Sequence, residues 1–100
     1  SNKKRQSALF ESINNKKFTV YLRLDVKDKH GVLSDITKIM SKNKVSIKRL
    51  IQNPTENKKI ASIVIITHQA KSYSLMKIIS VLKNKNYIVN KPKLIRIENI

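Results

Sequence analysis

The chain has 100 residues and a mass of 11.6 kDa, which is the size of one small domain. Apolar residues make up 40% of the chain, and no apolar run approaches the roughly 20 residues of a membrane-spanning helix. The absence of cysteine excludes disulfides and cysteine-based zinc sites, and it fits a cytoplasmic location. The net charge of +16, from 22 Lys and Arg against 6 Asp and Glu, makes the domain strongly basic.

The amino-terminal part carries no sustained apolar period. We interpret residues 1–16 as a linker or the tail of a preceding domain, with about one helical turn around the Ala8–Ile13 patch, and residues 17–100 as the folded domain. From Phe18 to Val26 apolar and polar residues alternate, which predicts a strand with one buried face. Tyr21 and Arg23 then lie on the opposite face.

A break, a helix and a second strand follow. Asp28 to Gly31 interrupts the pattern, and Asp28 stands where an N-cap would accept hydrogen bonds from backbone amides. Val32 to Met40 has helical spacing of apolar residues. Val45 to Gln52 alternates again, and Asn53 to Asn57 has the composition of a turn.

The second half repeats this order of elements. Ile60 to Thr67 is a β-branched run that is apolar on both faces, which is typical of a strand inside a sheet or covered by a partner. Ser72 or Ser74 caps a second predicted helix that extends to Leu82.

The last predicted strand is interrupted. It comprises Tyr87–Val89 and Leu94–Ile97, and Pro92 between them lacks an amide donor, so this strand belongs at a sheet edge. The order βαββαβ predicts an α+β, ferredoxin-like two-layer sandwich with antiparallel sheet order 4-1-3-2 and both helices on one face. Since the other face has no helix, we expect a homodimer or packing against another domain.

The chain lacks the patterns of catalysis. No nucleophile pattern accompanies His30 or His68, and the six acids have no metal-ligand spacing. One glycine cannot form either glycine-rich nucleotide fingerprint. We therefore expect neither catalytic residues, nor a cofactor, nor a metal in this chain.

The basic charge has two interpretations. It indicates a nucleic-acid or membrane partner, or it reflects AT-rich codons, which also supply the abundant Ile and Asn. The lysines are spread over every segment instead of clustered, which favours the second interpretation, with no nucleic acid and no membrane as partner.

The single glycine is the most informative residue. Gly31 lies between the first strand and the first helix, where the free amides of the helix start could bind a carboxylate. The alternative is that Gly31 serves only the turn. Gln52 likewise either binds an ammonium or hydroxyl group, or only ends its strand.

These residues resemble a known family. Asp28-Lys29-His30-Gly31-Val32-Leu33 is similar to the D-x-P-G-V-L signature of the ACT domain, a ferredoxin-like domain that binds amino acids. Four longer blocks resemble the carboxy-terminal ACT domain of bacterial homoserine dehydrogenases: Tyr21–Lys29, Val45–Gln52, Ile63–His68 and Lys91–Glu98. The resemblance extends from about Phe18 to Ile100.

The resemblance implies a regulatory module of an enzyme that reduces aspartate semialdehyde to homoserine with NAD(P)H. It implies a paired domain that binds an amino-acid effector, usually threonine, between the loop of one copy and the second strand of the other. The matching positions are Asp28, Lys29, His30, Gly31, Val32 and Leu33 in the loop, and Ile51, Gln52 and Asn53 in the strand. His30 departs from the usual proline, which leaves open whether effector control is retained. Two alternatives are a purely structural dimerisation domain and a basic RNA-binding module of the same topology.

Overall fold

The computed structural model describes residues 2–97, with the backbone alone for residues 10–15. Within this range the elements are α1 (Asn2–Asn15), β1 (Lys17–Lys27), α2 (Val32–Lys42), β2 (Ile47–Pro54), β3 (Ile60–Thr67), β4 (Ala70–Lys71), α3 (Ser72–Leu82) and β5 (Lys93–Ile97). Apart from α1 and the two-residue β4, this is the predicted βαββαβ order. Residues 98–100, the end of the predicted domain, lie outside the described residues.

The sheet is antiparallel and confirms the predicted strand order. β2 pairs with β3, β3 with β1, and β1 with β5, which is the fourth predicted strand; β4 pairs with the first two residues of β1. β3 is therefore internal, as its apolar composition on both faces predicts. Along β1 the alternation places Leu22 opposite Ile65 of β3 and Leu94 of β5, on the side of the core.

The core lies between the sheet and the two helices α2 and α3. Its fully buried side chains include Leu22 and Leu24 of β1, Ile36 of α2, and Ile78 and Leu82 of α3. Each helix contributes one apolar stripe, as the spacing of its residues predicts.

The last strand is interrupted as predicted. Ile88 forms an isolated bridge with Val26, whereas regular pairing with β1 resumes only at Lys93. Pro92 lies between these two stretches, at the edge of the sheet, where its missing amide removes no bond within the ladder.

The expectation of about one helical turn in residues 1–16 was wrong, because α1 has 14 residues. Residues 2–9 are all exposed, so no apolar period marks this helix in the sequence. Lys, Arg, Gln, Ala and Leu are nevertheless strong helix formers. The side chains of Phe10 and Ile13, part of the predicted apolar patch, lie outside the described residues.

Local predictions at three element ends were also wrong. Asp28 does not cap α2, whose N-cap is Gly31 without a side-chain bond. Lys71, again without a side-chain bond, precedes α3, and Ser72 is already helical. β2 continues through Asn53 to Pro54, because pairing with β3 extends to the Pro54–Ala61 pair.

Candidate functional site

The turn between β1 and α2 is built around Gly31. Its φ of 85° and ψ of −12° lie in the left-handed region, which side chains with a Cβ rarely adopt. A Cβ added at this position would meet no atom within 4 Å, so the backbone conformation, not crowding, requires glycine. Gly31 therefore has a conformational role in the turn between β1 and α2.

The turn leaves backbone amides free at the start of α2. The amide of Val32 reaches the carbonyl of Lys29 only over 3.4 Å, and among the described residues no group accepts a hydrogen bond from the amides of Leu33 and Ser34. Free amides at a helix N-terminus carry partial positive charge and favour a carboxylate or phosphate. This end of α2 can therefore bind an anion.

Eight of the nine predicted site residues are exposed. In the loop these are Asp28, Lys29, His30, Gly31 and Leu33, and in the strand they are Ile51, Gln52 and Asn53. Val32 differs, because its side chain is 7% exposed and belongs to the core. Only its backbone is available to a ligand.

The structure places the two groups of predicted residues at the same end of the sheet, where β1 and β2 both finish. β1 and β2 are both antiparallel to β3, so they are parallel to each other and end on the same side. β3 lies between them, which separates their ends by two strand spacings, about 10 Å. One copy alone therefore does not bring the loop and β2 into direct contact.

The residues of β2 face different sides of the sheet. Gln52 is opposite the buried Ile63, so it lies on the face that carries the helices. Ile51 and Asn53 lie on the open face. A ligand at the start of α2 is therefore on the same side of the sheet as Gln52.

A tyrosine–carboxylate pair fixes the first turn of α2. The hydroxyl of Tyr87 donates a hydrogen bond of 2.7 Å to Oδ2 of Asp35, and the ammonium group of Lys85 lies 3.4 Å from the same oxygen. The hydrogen bond from Tyr87 lowers the pKa of Asp35, with a smaller contribution from Lys85. Burial, together with the carboxylate, raises the pKa of the Tyr87 hydroxyl well above its usual value. The sequence contains no signal for this pair, because 52 residues separate its members.

The loop is also tied to the β2–β3 hairpin. The amide of Asp28 donates a bond of 2.8 Å to the carbonyl of Lys59. Beside this bond lies a cavity of about 540 Å³, lined by Asp28 and Lys29 of the loop and by residues of the hairpin turn. The other predicted site residues do not line it, and sequence analysis did not predict the hairpin's contribution.

The open face of the sheet has an apolar centre. Tyr21 lies between Ile66 and Ile95, and Val64 pairs with Ile51 on the same face. Ile51 and Ile95 are 38% and 59% exposed. We call these five residues the open-face patch. The prediction that strand one presents Tyr21 and Arg23 to the face away from the helices is confirmed.

Two further searches of the described residues concern metal-binding clusters and long apolar helices. Among the side chains of residues 2–9 and 16–97, no three His, Asp or Glu come close enough together to hold a metal ion. None of its helices combines the length and the apolarity that crossing a bilayer requires.

A family match in the comparison with known proteins includes the turn. The family model of the ACT domain matches residues 20–84, which extend from β1 to just beyond α3. The chain belongs to the ACT domain family. The ACT match includes the Gly31 turn and all of β2, so both groups of predicted site residues lie within it.

The curated relatives are homoserine dehydrogenases. That of Helicobacter pylori is 33% identical over 79 residues, which are 79% of this chain and 19% of that protein. That of Methylobacillus glycogenes is 47% identical over 49 residues, 48% of this chain and 12% of that protein. This ACT domain thus spans less than a fifth of the length of either relative.

Solved structures share the fold. A homoserine dehydrogenase from Thiobacillus denitrificans superimposes with a TM-score of 0.76 and 26% identity, over 87% of this chain and 19% of that one. The ACT domain of the GTP pyrophosphokinase from Chlorobium tepidum superimposes with a TM-score of 0.61 and 18% identity, over 81% of this chain and 99% of that one. The second likeness concerns the fold alone.

Proposed function

We propose that this ACT domain is the amino-acid-binding regulatory part of a cytoplasmic homoserine dehydrogenase. The enzyme reduces aspartate semialdehyde to homoserine, and it binds NAD(P) outside this chain. The ACT domain contributes no catalytic group and responds to an effector, for which threonine is the first candidate. The observation that carries the proposal is the left-handed Gly31 turn, which leaves the amides at the start of α2 free.

The chemistry of an amino acid suits these groups. Its carboxylate accepts hydrogen bonds from the amides of Leu33 and Ser34, and such charge-assisted bonds are about twice as strong as neutral ones. Its ammonium or hydroxyl group pairs with the side-chain amide of Gln52, which can both donate and accept. Asp28, Lys29 and His30 surround the turn as exposed polar groups.

The proposed site requires two copies. Because β3 separates the loop from β2 within one chain, the Gln52 that completes the site belongs to a second copy. Effector binding is then linked to pairing, since a ligand that binds only the pair stabilises it by mass action. Regulation follows if the catalytic part of the enzyme responds to this pairing.

Calorimetric titration of the chain with L-threonine and a panel of other amino acids tests the proposal. Saturable heat is expected with threonine or a close relative. Gln52→Ala should weaken binding by about 10- to 150-fold, because a hydrogen bond to a charged group is worth about 1.5–3 kcal/mol. Gln69→Ala is the matched control, since Gln69 is also exposed but lies between β3 and β4, at the other end of the sheet. Absence of heat with every amino acid contradicts effector binding.

The open-face patch supports a second candidate function, a structural dimerisation domain without an effector. Exposed apolar area of this kind favours association. Molar mass in solution, measured with and without threonine, separates the two functions. A dimer whose stability is unaffected by threonine, together with an enzyme whose rate does not change at saturating threonine, favours the structural role.

A further inference from the structure

The cavity at the end of β1 has two walls that are bonded to each other. One wall is the loop after β1, and the other is the hairpin turn between β2 and β3, to which the amide of Asp28 donates its bond of 2.8 Å. The hydroxyl of Thr55 lies within donating distance of the carbonyls of Asn57 and Ile60, which share its one proton, and the side-chain oxygen of Asn57 accepts from the amide of Lys59. These bonds stabilise the turn that forms this wall of the cavity.

Four lysines surround this cavity. Lys27 and Lys29 come from the end of β1 and the loop, and Lys58 and Lys59 come from the hairpin turn. Asp28 is the one carboxylate of the lining. Among the described side chains of residues 2–9 and 16–97, the ion pairs are Arg23–Asp25 and Lys85–Asp35, and neither involves these four lysines. Four lysines against one carboxylate give the lining residues an excess of positive charge, which an anion would neutralise.

Apolar side chains also line the cavity. Ile60 is half-buried at the start of β3, and Val89, which is 40% exposed, approaches from the segment before β5. The amide of Val89 donates to the carbonyl of Asp25 over 2.9 Å, which holds that segment in place. The volume of about 540 Å³ is in the range of small-molecule sites. The lining therefore suits a ligand with an apolar body as well as charge.

We propose that this cavity binds a small organic anion that carries at least two negative charges on an apolar body. Phosphate and carboxylate groups both satisfy the charge requirement, because lysine pairs with either. The proposal goes beyond the effector site. Only Asp28 and Lys29 belong to both, the cavity is complete within one copy, and a neutral amino acid would not balance its charge.

Binding is measured by NMR titration of the ¹⁵N-labelled chain, which locates the ligand as well as detecting it. The probes are phenyl phosphate and phthalate, which combine an apolar ring with a phosphate or with two carboxylates. Inorganic phosphate and benzyl alcohol each supply one half of that chemistry. With at least one aromatic anion, saturable shifts are expected at the amides of Lys29, Lys59, Ile60 and Val89. Inorganic phosphate alone and benzyl alcohol alone should each bind about tenfold more weakly.

Two variants separate this site from the general attraction of a +16 chain for anions. Lys58→Gln with Lys59→Gln should weaken binding about fivefold, because two ammonium groups leave the rim. Lys42→Gln with Lys48→Gln is the control, since it removes the same charge from the ends of α2 and β2 that lie away from the cavity. Val89→Ser should weaken the binding of phenyl phosphate but not the binding of inorganic phosphate.

The proposal is overturned by equal losses in the two double variants, by shifts spread over all lysine-rich surfaces, or by absence of saturation with both aromatic anions. These outcomes are independent of the effector proposal. Threonine that binds while the aromatic anions do not would leave that function in place and remove this site.

Discussion

Thr67→Val tests whether a side chain replaces a backbone acceptor in the centre of the sheet. The amide of Val20 donates to the hydroxyl oxygen of Thr67 over 3.2 Å, and both residues are 0% exposed. Regular pairing of β1 with β3 ends at Tyr21–Ile66, and pairing with β4 begins at Phe18–Ala70, so the Val20 amide lies between the two ladders. The hydroxyl of Thr67 satisfies it there.

Valine has the same shape as threonine, so the substitution leaves no cavity and isolates the lost acceptor. A buried amide without a partner costs about 1–3 kcal/mol. For a domain of this size each kcal/mol corresponds to about 4–8 °C in Tm. Urea unfolding followed by circular dichroism should show a lower midpoint with an unchanged m-value.

Thr19→Val is the matched control for this experiment. Thr19 is on β1, half-buried on the open face, and its hydroxyl makes no hydrogen bond with the described residues. A change of less than about 0.5 kcal/mol is expected there. If Thr67→Val were equally mild, or if both substitutions were equally harmful, the assignment of this buried hydrogen bond would be refuted.

Two further substitutions test the turn and the start of α2. Gly31→Ala should destabilise the chain by about 1–2 kcal/mol, because φ is +85° at this position. Gly31→Asn should destabilise it less, since asparagine adopts the left-handed region more readily. Equal unfolding midpoints for the two variants would contradict the strain argument. Tyr87→Phe should cost about 1 kcal/mol near neutral pH, since Asp35 is partly exposed. Folding lowers the pKa of Asp35, so this stabilisation is present above its ordinary pKa of about 4 and is lost as pH falls through the lower folded value. Denaturation curves of the unchanged chain and of Tyr87→Phe, measured between about pH 2 and 7, should therefore give free energies of unfolding that converge in acid. A difference that stays constant over this range would contradict the link to the ionisation of Asp35.

Periodicity predicts most of this fold because β1, α2 and α3 each bury one face. The alternation in β1 and the apolar run of β3 determine which strands are internal, and Pro92 identifies the edge. The helix α1 could not be predicted in this way, since its residues 2–9 are exposed and carry no stripe. The caps of α2 and α3 were predicted incorrectly because a polar residue near a helix start does not determine whether its side chain turns back to the amides.

The candidate site shows the same division between local and distant information. A single glycine between strand and helix marks the position of the turn, and that position could be predicted from the sequence. The bond from Tyr87 to Asp35 and the link between Asp28 and Lys59 could not, because each joins residues that are distant in sequence. Burial of Val32 follows from the helical stripe, and that stripe already assigns its side chain to the core.

The role of the lysines depends both on their distribution along the sequence and on their positions in the fold. Their even spread along the sequence favours codon composition as the source of the charge, and nothing in the structure contradicts that origin. The strand topology nevertheless brings the end of β1 and the β2–β3 turn to the same end of the sheet. As a result, one cavity is lined by Lys27, Lys29, Lys58 and Lys59. A uniform supply of lysine can therefore produce a local site, because binding depends on how the fold arranges charges and not on how the sequence spaces them. The origin of the charge and its use are separate questions, and only a comparison of variants with equal net charge distinguishes them.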